Sequence, residues 1–148
     1  MEMVAASAAR LQLSAEPMLV PLMGAKVCAG FPSPADDYIE EALDPSRLII
    51  TNPASTFLLQ VQGESMIGSG IMDGDYVVVD RSLAVKHDDV VVAIIDGLLS
   101  VKRVTKRGGR LTLDFDNPAM GQLQLDEASE VIIWGVVVWS LTRHRVIA

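Results

Sequence analysis

The chain has 148 residues, 50% of them hydrophobic and 21% charged, with a formal net charge of -7. That length fits one domain plus a short appendage, and the Val, Ile and Leu content excludes a wholly disordered chain. The excess acid lies after residue 29, because Arg10 and Lys26 balance Glu2 and Glu16 before it, and so acidic a body makes a poor stand-alone DNA binder.

Residues 1–29 are rich in Ala, Leu, Met and Val, and Pro17, Pro21 and Gly24 interrupt any long helix. The stretch is too short for a helix-turn-helix module and reads as a detachable arm. It lacks a basic head followed by a long apolar run, so a secretory signal is not expected. Cys28 is the single cysteine, which excludes an intrachain disulfide and suits a reducing cytoplasm.

Ser33 as a cap, Pro34 in a first turn, and Asp36 and Asp37 near a helix N-terminus predict a short helix. It runs to about Leu43 and ends at Asp44-Pro45. From Thr56 onward strands are expected: Phe57–Val61, Tyr76–Asp80, Val90–Ile95, Leu98–Val104, Leu111–Phe115 and Val131–Trp139. Turn signals at Gly70, Asp73-Gly74, Asp96-Gly97, Gly108-Gly109 and Asn117-Pro118 separate them. Asp96-Gly97 between two apolar runs is a tight-hairpin signature. The most apolar run, Val131–Leu141, has 11 residues, against the ~20 that a bilayer-spanning helix needs. The fold class is therefore mostly β, with curled sheets, one short helix and an N-terminal arm.

Gly63 lets the chain turn sharply before Ser65, which would expose the hydroxyl and aim the following amides at a common point. A lone Gly-x-Ser is more often a turn or a helix cap. A serine nucleophile needs a base. His87, in a charged turn, and His144, in a basic tail, both read as solvated surface. Lys102 stands in a strand where Leu98, Ser100, Lys102 and Val104 share a face. Burial there would lower its pKa and leave a free amine; the bland reading is a lysine that reaches water from a sheet edge. Asp73, Asp75 and Asp80 read as turn and strand residues, and neither a metal nor any other cofactor is expected. Lys102, Arg103, Lys106, Arg107 and Arg110 form a basic cluster, read as a solvated hairpin in preference to a nucleic-acid patch.

Together, Gly63-Glu64-Ser65-Met66, Gly70-Ile71-Met72-Asp73-Gly74-Asp75 and Val101-Lys102-Arg103 resemble the signature of the LexA/UmuD autopeptidases. The 37-residue separation of Ser65 and Lys102 is similar to the family's usual one. Gly30-Phe31-Pro32-Ser33-Pro34-Ala35 and Asp37-Tyr38 look like the stretch that follows the cleavage point in UmuD-type members, and no repressor-type DNA-binding domain is expected before it. The resemblance implies a serine–lysine endopeptidase that cuts itself at Ala29-Gly30. Ser65 would be the nucleophile, Lys102 the general base, and the backbone amides of Ser65 and Met66 the oxyanion site. It divides the chain into a cleavable arm, 1–29, and a peptidase-like β domain, 30–148. It further implies SOS mutagenesis as the setting: stimulation by a RecA–single-stranded DNA filament, a trimmed homodimer, and a UmuC-like error-prone polymerase subunit as partner. Neither sequence-specific DNA binding nor a membrane is implied. The rival readings are a LexA- or phage-type repressor fragment, a signal peptidase with the same dyad chemistry, and a silent interaction module of the same fold.

Overall fold

The computed structural model describes residues 16–24, 26–31, 39–125 and 128–146. Two strands come first: β1 (Val20–Met23) pairs antiparallel with β2 (Ile39–Leu43), with Val20 opposite Leu43 and Leu22 opposite Glu41. This corrects the helix expected to run to Leu43; its proposed start at Ser33 and Pro34 lies outside the described residues. Glu40, Glu41 and Ala42 favour helix over strand intrinsically. Pairing with β1 decides their conformation instead. The helix starts where the sequence placed its end: α1 (Pro45–Ile49) has Asp44 as N-cap, whose Oδ1 accepts from Ser46 N at 3.0 Å. Asp-Pro is here a start signal, since proline suits the first helical turn.

The remaining strands are β3 (Thr56–Gln60), β4 (Tyr76–Asp80), β5 (Val90–Ile95), β6 (Leu98–Arg107), β7 (Arg110–Asp114) and β8 (Val131–Leu141). They form one antiparallel sheet in the order β3-β4-β8-β5-β6-β7, each close to its expected place. The β5–β6 turn has Asp96 at φ 49° and Gly97 at φ 82°, the two left-handed residues of a tight hairpin.

Strand β8 sits centrally, and its register shifts against both neighbours, opposite Val78/Val79 and opposite Val92/Ala93. Such irregularities bend and twist a strand, so the sheet curls. Gly135 lies at the second shift, where an added Cβ would fall 2.6 Å from Val79 Cγ1. Strand alternation then splits the core. Met66, Ile71, Val77, Val79, Val92 and Trp134 pack in one cluster, and Val91, Ala93, Val104, Leu113 and Val136 in another. Among the described residues no helix is long and apolar enough to cross a membrane.

Candidate active site

Ser65 sits on the long connection between β3 and β4. Gly63 turns the chain at φ +101°, and Asp73 Oδ1 accepts the Gly63 N–H at 2.7 Å. One residue beyond the serine, Met66 is 1% exposed and belongs to the core. A 3-10 turn, Ile67–Ser69, follows. The loop is thus pinned on both sides of a half-buried serine. Among the described residues, neither the Ser65 hydroxyl nor the N–H groups of Ser65 and Met66 make a hydrogen bond.

Lys102 lies on β6 and is 4% exposed. Its Nζ donates to Ser100 Oγ and, at 3.0 Å, to the Val101 carbonyl. It also stands 4.9 Å from the centroid of the Phe115 ring. Burial holds the Lys102 pKa below the ordinary lysine value, and the Asp114 charge only partly opposes this. Removing an ammonium from water favours its neutral form.

A groove of about 370 Å³ has Ser65, Ser100 and Val101 in its lining, along with Leu59, Val61 and Val92. It brings Ser65 to the same cleft as Ser100, the hydroxyl that receives the Lys102 amine. Among the described residues, Lys102 makes no hydrogen bond to Ser65. Ala29 and Gly30 are exposed and do not line the groove. A Cβ added at Gly30 would meet no atom within 4 Å, so this conformation holds the Ala29-Gly30 peptide away from Ser65.

The other candidates scatter. Asp73 holds Gly63; Asp75 Oδ2 accepts from Met72 N and Thr142 Oγ1, both at 2.8 Å; Asp80 accepts from Asn52, Ser55 and Ser82. His87 Nδ1 accepts the Lys106 N–H at 3.0 Å on the surface, and His144 is exposed. The basic cluster is not one patch: Lys102 is buried, Arg103 reaches Asp116 at 3.3 Å, and Lys106, Arg107 and Arg110 are exposed around the β6–β7 turn. Sequence reasoning missed Phe115–Asn117 as part of the site. Phe115 lies against the Lys102 amine, while Asp116 N donates to the Ser65 carbonyl at 2.9 Å. Asn117-Pro118 signalled a turn, but a contact across 51 positions leaves no mark in local pattern.

Comparison with known proteins shows the family. The Peptidase S24-like family model matches residues 21–138, a span that includes Ala29, Gly30, Ser65 and Lys102. Protein ImpA of Salmonella typhimurium is 42% identical over 127 residues, 84% of this chain and 85% of its own length. Protein MucA of Escherichia coli is 38% identical over 128 residues, 86% of this chain and 87% of its own. The LexA repressor of Syntrophotalea carbinolica is 37% identical over 128 residues, 86% of this chain but 62% of the repressor. The chain belongs to the Peptidase S24-like family, the self-cleaving serine peptidases of the LexA/UmuD kind, and is UmuD-like within it.

Proposed function

We propose that the chain severs its own arm at Ala29-Gly30, with Ser65 as nucleophile and Lys102 as general base. The observation that carries this reading is the buried, pKa-lowered amine of Lys102, joined through Ser100 to the groove that Ser65 lines. When the arm enters the groove, neutral Lys102 turns from Ser100 to Ser65 and takes the hydroxyl proton. Ser65 Oγ attacks the Ala29 carbonyl, and the Ser65 and Met66 N–H groups, which have no other acceptor among the described residues, receive the oxyanion. The protonated lysine then gives its proton to the departing Gly30 amine, and water hydrolyses the Ala29 ester. The products are residues 1–29 and 30–148.

Because Ala29 and Gly30 stand clear of the groove, cleavage requires a second placement of the arm, and an activator works by favouring it. In this reading the activator is a RecA–single-stranded DNA filament. The trimmed body forms a homodimer, with half-exposed Ile132 and Trp139 of β8 as apolar surface for a second copy, and joins a UmuC-like polymerase in the SOS response. Purified chain held at alkaline pH should lose the mass of residues 1–29, because alkali deprotonates Lys102 without any activator and whatever fraction of arms enters the groove is then cut. Ser65→Ala and Lys102→Ala should each abolish the loss. Persistence in either variant would assign the cut to another protease.

A further inference from the structure

Strand β6 carries Lys102 and Arg103 on opposite faces, and both reach the same stretch of chain across the ladder. Arg103 pairs with Asp114, so continuing that register sets Lys102 beside Phe115 and brings Arg103 diagonal to Asp116. The Lys102 amine lies over the Phe115 ring, and Arg103 Nη2 stands 3.3 Å from Asp116 Oδ2.

Asp116 in turn grips the nucleophile loop along its length. Its N–H donates to the Ser65 carbonyl at 2.9 Å, and its carbonyl accepts the Gly68 N–H at 2.6 Å. Its Oδ2 accepts from Ser69 Oγ at 2.6 Å, while Ser69 Oγ accepts from Arg103 Nη2 at 2.7 Å. The neighbouring Asn117 Nδ2 donates to the Glu64 carbonyl at 2.8 Å. The approach is so close that a Cβ at Gly68 would fall 2.4 Å from Asp116 Oδ1. These bonds fasten Glu64, Ser65, Gly68 and Ser69, on both sides of the nucleophile.

We infer that Asp116, held by Ser69 and Arg103, is a positioning residue that fixes Ser65 relative to the strand bearing Lys102. Resting on the self-cleavage reading, the inference deepens it by naming what sets the nucleophile's place. A peptide N–H gripping the Ser65 carbonyl orients the Met66 N–H of the same peptide, and Asn117 on the Glu64 carbonyl does the same for the Ser65 N–H, neither touching substrate. The Ser69 hydrogen bond, with Arg103 adding to it against the opposing effect of burial, keeps the Asp116 carboxyl below its usual range. The clamp therefore stays ionised wherever Lys102 can act as a base.

The test compares first-order arm loss across pH for full-length chain, Asp116→Asn, Ser69→Ala and Ser69→Thr, each at matched folded fraction by circular dichroism. Asp116→Asn and Ser69→Ala should be slower by about tenfold or more, with the midpoint of the alkaline rise unmoved. Ser69→Thr, which keeps the hydroxyl, should recover most of the rate. A moved midpoint would mean that Asp116 acts on the charge of Lys102, and undiminished rates would mean that the clamp does not set reactivity; either overturns the inference. Should the unaltered chain itself keep its arm at every pH, the self-cleavage reading fails first. Amide exchange at Gly68 then still tests the clamp: it should quicken in Asp116→Asn, and unchanged exchange would overturn it.

Discussion

The amine of Lys102 has a ring and two oxygens around it and almost no water. Such a site suits a base and penalises an ammonium, so function and stability pull in opposite directions there. In the folded chain the lysine pKa lies below its ordinary value, while unfolding restores it to about 10.5. Below the folded value both states hold the proton and the native state bears the full penalty. Between the two values the unfolded state binds the extra proton, so stability rises with pH, and above both the penalty is gone. Lys102→Met keeps the length of the side chain and removes the charge. In a Ser65→Ala background, which cannot cut itself under the proposed mechanism, it should unfold about 0.5–2 kcal/mol later at pH 7. The gain should shrink as pH approaches 10.5. Denaturant titrations of the two proteins at pH 7 and pH 10 check this, and a gain that stays constant with pH would show that desolvation is not its source.

At the scale of elements, the strand that ends at Asp80 is fastened to the segment before β3. Burial alone would raise the Asp80 pKa, but hydrogen bonds from Asn52, Ser82 and Ser55 outweigh it and bring it from 3.8 to about 2. With the folded value below the unfolded one, the contribution is complete above pH 4 and is lost as pH falls towards 2. Asp80→Asn should therefore lower the melting temperature at pH 7 and narrow its gap to the unaltered protein at pH 2; an equal gap at both would remove the carboxylate from the account.

The same elements show what could be read in advance. Strands β4 and β5 were legible to the residue, because β-branched runs bounded by turn residues have few other ways to bury themselves. The Asp96-Gly97 hairpin was legible because few residue pairs tolerate two left-handed positions. Strand β2 was not: Ile39–Leu43 takes its shape from β1, some twenty positions away, against its own propensity. In the site, Ser65 and Lys102 stood out through the resemblance of their motifs to a family signature, and the apolar face of Lys102 permitted its burial without requiring it. The Asp116 clamp was hidden, since a backbone bond to Ser65 depends on the fold and not on side-chain type.

For the whole molecule, the pairing of β1 with β2 spans the bond proposed to break. In the intact chain residues 24–38 tether β1 to its partner, and a short tether of this kind supplies an effective concentration of roughly millimolar. A cut at Ala29-Gly30 would remove that tether. Among the described residues, the arm is then held by its β1 strand on β2, in which Val20, Leu22 and Met23 are 44%, 40% and 44% exposed, together with neighbouring contacts such as the Met18 N–H at the Asp44 carboxylate. Isolated two-stranded ribbons are marginal in water, so the fragment should leave once it is no longer covalently held, and departure makes the cut irreversible in practice. After alkaline cleavage at micromolar concentration, size-exclusion chromatography should separate residues 1–29 from the body. Co-elution would mean that the contacts of the arm hold it without the covalent link, and the cut would then be open to reversal.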